Sequence, residues 1–255
     1  MSLFSQVIAI LSAFFLPSVP LLTYHAFDAY ADLPLSCYAL ALIICFRRYM
    51  ERGTQTGDNN GFLVLTGLFA AFCIWTKAEG ILFSLALTVT VFLYLLLKRT
   101  SFSGSVKGFL FYAVPIAIVG ISWFAFLFIY YITGRRLQIF PDARLHLKAI
   151  PVIVRQMIFS ANFNIIFAFF AVVTTLGIRS VFQSDLKYLL FPLLSIMMMF
   201  LLVYVATDSY RWVMNLTSVN RNILTIIPMT YYVSALITTY LLSNEAKRRT
   251  IKESS

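Results

Sequence analysis

The sequence predicts an all-α integral membrane protein, a polytopic bundle of about eight transmembrane helices with both termini cytoplasmic. The first support is composition. Of 255 residues, 60% are hydrophobic and only 12% charged, whereas a soluble domain is nearer half apolar and a quarter charged. The mean hydropathy of +0.85 agrees. A soluble fold of this size would lack the polar surface to coat itself. The second support is arrangement, because the apolar residues gather into runs and the charges fall between them. The third is the aromatic load of 25 Phe and 14 Tyr, residues suited to lipid contact and interfacial anchoring.

Eight apolar runs lie at 5–23, 33–46, 62–76, 81–97, 109–132, 163–178, 188–206 and 223–243. A membrane span takes about 20 residues, so the second and third runs must borrow flanking positions. The first run has no basic segment before it and no small-residue cleavage site, which predicts a retained span. Residues 62–97 read as one helix would be roughly 54 Å long, against a hydrocarbon core of about 30 Å. Lys77, Glu79 and Gly80 sit at the middle of that stretch, so a hairpin turning at Thr76–Gly80 is expected. Residues 1–243 therefore form a single transmembrane domain, and residues 244–255 (NEAKRRTIKESS) a cytoplasmic polar tail. Cys37, Cys45 and Cys73 all fall in apolar runs without metal-ligand spacing and read as small buried hydrophobes.

The formal net charge is +10, a value also met in nucleic-acid-binding proteins. The basic residues are interleaved with membrane runs, however, and that pattern predicts lipid-bilayer partners and no nucleic acid. With the N-terminus inside, the inner loops carry Arg47, Arg48, Arg52, Lys98, Arg99, Lys107, Arg179 and Lys187, and the tail adds Lys247, Arg248, Arg249 and Lys252. The short outer loops carry only Lys77, Arg211 and Arg221. This asymmetry is the positive-inside pattern of a multi-pass protein of the bacterial plasma membrane. One outer loop opposes the rule: 133–162 holds Arg135, Arg136, Arg144, Lys148 and Arg155 against one acid, Asp142. Two readings stand side by side, an anionic ligand such as a lipid phosphate and an amphipathic segment resting on anionic headgroups.

Three outer segments carry polar chemistry. The first reads TYHAFDAYADLP and holds His25, Asp28 and Asp32 without Lys or Arg. Asp28 and Asp32 are spaced i, i+4 and would share a face if helical. Paired acids there suit proton transfer, a sugar hydroxyl or a divalent metal, while Asp32, just before Leu33 and Pro34, equally fits a helix N-cap. His25 reads as an interfacial histidine. The second segment is the turn TKAEG: Lys77 either snorkels to headgroups or faces a phosphate, with Glu79 beside it to hold a polar substrate. The third is DSYRWVMNLTSVNRN, where Arg211 and Arg221 suit bidentate phosphate contact and Tyr210 and Trp212 suit interface anchoring. The sequence contains no nucleotide-binding loop, HExxH, GxSxG or Cys/His cluster. No span carries a line of ionisable residues of the kind coupled transporters need.

Three phrases carry a family resemblance. AYADLPLSCYALAL (Ala29 to Leu42), GLFAAFCIWTKAEGILF (Gly67 to Phe83) and SVNRNILTIIP (Ser218 to Pro228) resemble, in order and spacing, stretches of bacterial membrane glycosyltransferases of the C-type superfamily, related to protein O-mannosyltransferases. The resemblance covers roughly residues 10 to 230, and the second phrase is its most specific part. It implies transfer of a sugar from a polyprenyl-phosphate donor to an acceptor at the outer face of the membrane. Carried over by position, Asp32 becomes an active-site acid with Asp28 nearby. Lys77 and Glu79 become a turn beside the donor phosphate, and Arg221 a phosphate-contacting or structural arginine. Arg211, Arg135 and Arg136 are further candidates for the donor. The family also carries a long first outer loop with an acidic motif upstream of AYADLP, and no counterpart precedes it here. The expectation is a fragment or a split enzyme, with a partner chain supplying that loop. A transporter or flippase of lipid-linked sugars, and a non-catalytic membrane subunit, are the alternatives.

Overall fold

A helix buries its own backbone hydrogen bonds, so in a chain this apolar every long run has one favourable outcome. The computed structural model bears this out and describes residues 3–27, 30–53, 59–98, 101–129, 145–159, 161–163, 165–207, 209–214 and 219–253. Among them the α-helices are α1 (Leu3–Phe15), α2 (Pro20–Phe27), α3 (Asp32–Arg52), α4 (Asn60–Thr76), α5 (Gly80–Lys98), α6 (Phe102–Ile129), α7 (Ala149–Phe159), α8 (Ile166–Gln183), α9 (Lys187–Ala206), α10 (Tyr210–Met214) and α11 (Val219–Glu253). A short 3-10 turn, Ala161–Phe163, precedes α8. No strand occurs among the described residues. Six of these helices (α3, α5, α6, α8, α9 and α11) are long and apolar enough to cross a membrane. The fold is that of a polytopic helical membrane protein.

Among the described residues the predicted runs lie mainly in helix, with one correction. The run at 5–23 is not one straight span, because α1 and α2 meet at a bend of 65°. Pro17 offers no N–H at the break, and Pro20 opens α2, where its missing donor costs nothing. Helix α11 continues into the polar tail as far as Glu253. The outer loop at 133–162 contains α7, whose Ala149 and Ile153 are buried while Arg155 is exposed. That is the amphipathic pattern foreseen for the segment. Of its other basic residues, Lys148 is exposed just before α7, and Arg135, Arg136 and Arg144 lie outside the described residues.

The outer surface is apolar. Phe14, Phe128 and Leu176 are each more than 70% exposed, which suits lipid and would be costly in water. Inside, small residues set how closely the helices approach. Gly67, Ala70 and Ala71 of α4 are buried, and a Cβ on Gly67 would overlap the backbone carbonyl of Tyr112 in α6. Cys73 is buried as expected, whereas Cys37 is exposed and Cys45 lies between.

The connectivity sorts the charges into two ends. The starts of α3, α5 and α11 meet the ends of α4 and α9, as the contacts among Asp32, Lys77, Arg221, Asn222 and Tyr204 require. At the opposite end, Lys98 at the close of α5 pairs with Asp185 in the α8–α9 turn at 2.9 Å. Arg47 and Arg48 bind Glu51 there at 2.8 and 3.1 Å. Antiparallel helices joined by short turns produce this alternation.

Candidate functional site

Lys77 closes α4 in extended backbone (φ −162°, ψ 151°), which turns its side chain out of the helical path. The chain re-enters helix at once, with the Gly80 amide donating to the Lys77 carbonyl at 2.9 Å. Only glycine fits at 80, because a Cβ there would overlap the Cys73 carbonyl oxygen. The tight hairpin predicted at Thr76–Gly80 thus serves to hold Lys77 in one place.

Asp32 stands in the first turn of α3, where the positive end of the helix favours an anion. It does not cap the helix: Ala31 occupies the N-cap position without a side-chain hydrogen bond. Asp32 points into the bundle instead and is 0% exposed. Lys77 Nζ donates to its Oδ1 at 2.8 Å, and Arg221 Nε, from the first turn of α11, donates to its Oδ2 at 2.8 Å. Three residues separated by up to 189 positions therefore meet at one point.

Around this triad the donors and acceptors can be counted. Lys77 has three N–H groups. Besides Asp32, Asn222 Oδ1 lies at 3.2 Å and Glu79 Oε1 at 3.2 Å. The ammonium thus donates to Asp32 and Asn222 and is paired in charge with Glu79 as well. Asn222 Nδ2 donates in turn to the Tyr204 hydroxyl at 2.8 Å, tying α9 to α11. Arg221 differs: its terminal amino groups make no hydrogen bond or ion pair among the described residues, and its side chain is 36% exposed. Its guanidinium lies over the Tyr30 ring at 4.4 Å, a cation–π contact that fixes the fork while leaving its edge open. Buried His25 rests against Tyr30 with ring centroids 5.1 Å apart, its Nδ1 4.0 Å from Asp32 Oδ2.

Of the predicted site residues, Asp32, Lys77, Glu79 and Arg221 come together. Arg211 does not join them: it is exposed on α10 and forms no ion pair among the described residues. Asp28, Arg135 and Arg136 lie outside the described residues. Three further members, Tyr30, Tyr204 and Asn222, were not foreseen. Tyr30 and Asn222 sit beside Asp32 and Arg221 in the AYADLP and SVNRN phrases, and that adjacency was the available signal. Tyr204 ends an apolar run and carries none.

Comparison of the chain with known protein families, curated proteins and solved structures finds no match. The chemistry of the site is accordingly read from its own donors. No group of three or more His, Cys, Asp or Glu side chains comes together among the described residues. Both oxygens of Asp32 already face cations, so the set does not fit a divalent metal. It fits an anion, offered to the open edge of Arg221. Next to the site, α7, α9 and α11 enclose a cavity of about 340 Å³. Its walls include Ile153, Met157, Met197 and Ile226, and Asn222 and Tyr204 also line it. An apolar cavity thus touches the polar cluster.

Proposed function

We propose that this chain is a membrane glycosyltransferase-type protein of the C-type superfamily. It would act at the outer face of a bacterial plasma membrane on a polyprenyl-phosphate-linked sugar. The observation that carries the reading is the meeting of Asp32, Lys77 and Arg221, each drawn from a different one of the three family-like phrases. The adjoining apolar cavity adds room for a hydrocarbon chain beside a cationic fork. In this reading eight crossings place both termini in the cytoplasm, with α1 and α2 forming one bent crossing and the 17 residues of α4 another.

The roles within the triad follow from its geometry. An acceptor hydroxyl attacks the anomeric carbon, the bond from that carbon to the phosphate oxygen breaks, and the lipid phosphate departs with the electron pair. Arg221 stabilises the charge that the phosphate gains. Asp32 is sealed from the acceptor and committed to two cations, so its part is to position Lys77 and Arg221. The proton of the acceptor must go to another carboxylate, and Glu79, with its side chain 29% exposed, is the reachable one on this chain. A second polypeptide bearing an acidic loop would serve the same end. The burial of Asp32 also favours a second reading, a non-catalytic subunit that binds the lipid phosphate for such a partner. A transporter draws less support, because among the described residues the buried hydroxyls of Thr66, Thr90, Thr230 and Ser234 are spent on their own helices' carbonyls.

The test is sugar transfer from a polyprenyl-phosphate donor by the protein reconstituted in nanodiscs. Arg221→Ala should lower kcat by about a hundredfold or more, as loss of one charge-stabilising donor does. Arg221→Lys should restore little, because an ammonium cannot reproduce the fork. Undiminished transfer in Arg221→Ala rejects the site. Absence of transfer by the unaltered protein, with the phosphate lipid still bound, selects the subunit reading.

A further inference from the structure

Roughly 22 Å along α3 from Asp32, given its rise per residue, the opposite end of the bundle holds a cavity of about 450 Å³ with a partly polar lining. The C-terminal part of α3, the α8–α9 turn and the later turns of α11 enclose it. Arg47, Glu51, Asp185, Tyr240 and Ser243 provide its polar lining, and Met50, Leu186 and Leu236 its apolar lining. Such a volume is in the range of ligand sites and far above that of one or two waters.

Its free hydrogen-bonding capacity is specific. Both oxygens of Glu51 are taken, by Arg47 Nε and Arg48. Arg47 spends only its Nε there, and its two terminal amino groups have no partner among the described residues. The side chain is 23% exposed, held along the wall rather than spread into solvent. Asp185 gives one oxygen to Lys98 and keeps the other. The Thr239 and Ser243 hydroxyls donate to the carbonyls of Ala235 and Tyr240, leaving lone pairs as acceptors. The Tyr240 hydroxyl has no partner among the described residues. The cavity therefore presents a cationic fork and a phenol to an anion, and a carboxylate oxygen with hydroxyl lone pairs to a cation.

We infer that this cavity binds a phosphoethanolamine group, with its phosphate on Arg47 and Tyr240 and its ammonium on Asp185. The apolar wall at the end of the helices suits the glycerol and first methylenes of a phospholipid, though the free headgroup offers the same charges. The inference does not rest on the sugar-transfer reading. Delipidated protein in detergent would be titrated with phosphatidylethanolamine, phosphatidylcholine, phosphatidylglycerol and soluble glycerophosphoethanolamine, and binding followed by native mass spectrometry. Phosphatidylethanolamine should bind about tenfold tighter than phosphatidylcholine, whose methylated ammonium has no N–H to give Asp185, and tighter than phosphatidylglycerol, which has no cation. Arg47→Gln should remove most of that affinity and Tyr240→Phe a part of it. Asp185→Asn should erase the preference over phosphatidylcholine. Equal binding of soluble headgroup and lipid supports the site and assigns it to the free zwitterion. Equal affinity for the three lipids overturns it without any variant, as does unchanged binding in Arg47→Gln.

Discussion

At the scale of single residues, the polar cluster is a problem of balance between one sealed anion and two cations that keep some solvent. Asp32 is fully buried, while the Lys77 and Arg221 side chains are 22% and 36% exposed. Removing one partner of a buried pair usually costs about 3–5 kcal/mol because a charge is left uncompensated. Here the remaining cation and residual hydration reduce the expected loss, so Lys77→Met should cost about 2–3 kcal/mol. The Asp32→Asn/Lys77→Met double variant should recover part of that loss, since the sealed anion is gone and only the more exposed Arg221 loses its carboxylate, and the two effects should couple by at least about 1 kcal/mol. Thermal unfolding in detergent measures all of the variants, and strict additivity would show that Asp32 and Lys77 do not depend on each other. Arg221→Met should cost less than Lys77→Met, because Arg221 gives Asp32 one bond while Lys77 also serves Asn222 and Glu79.

At the scale of elements, one glycine of α4 decides where two helices meet, and one of α6 does not. Gly67 brings α4 against the backbone of α6 at Tyr112, whereas Gly120 of α6 has nothing within 4 Å of its would-be Cβ. Gly67→Ala should therefore destabilise by about 1–3 kcal/mol through overpacking, while Gly120→Ala should be neutral or stabilising by up to about 1 kcal/mol. Equal melting temperatures for the two variants would contradict this packing. The existence of each helix was legible in the sequence because apolar runs of this length have no other way to satisfy their backbones. Helix ends were less legible: α3 runs through Arg47 and Arg48 to Arg52, and α11 through the basic tail to Glu253, since hydropathy falls at such charges but helix propensity does not. The bend at Pro17 and Pro20 was hidden for the converse reason, because the flanking residues stay apolar across it. In the site, the charged members Asp32, Lys77, Glu79 and Arg221 could be named in advance, although a helix cap fitted Asp32 and snorkelling fitted Lys77 equally well. Asn222 offered only its adjacency to Arg221, and Tyr204 offered no signal, since its part is visible only once α9 and α11 lie side by side.

At the scale of the whole molecule, the two charge-bearing ends must face opposite aqueous phases if the bundle crosses a bilayer. One end holds Asp32, Lys77, Glu79 and Arg221, and the other holds Arg47, Arg48, Glu51, Lys98, Asp185 and Lys187. The second set has the larger basic excess and is continued by the Lys247–Lys252 stretch of α11, so retention of positive charge predicts that it faces the cytoplasm. Ala78, in the turn beside Lys77, and Glu245, late in α11, are both exposed and mark the two ends. In a background without Cys37, Cys45 and Cys73, Ala78→Cys in intact cells should react with a membrane-impermeant maleimide. Glu245→Cys should react only after the membrane is opened. The opposite pattern would invert the orientation and move the Arg221 fork to the cytoplasmic side. Labelling of both positions from outside would mean that α11 does not cross, and the separation of the two cavities by a bilayer would fail with it. Reaction of Ala78→Cys alone places the anion site where an externally presented lipid phosphate can reach it, a condition that the proposed transfer reaction requires.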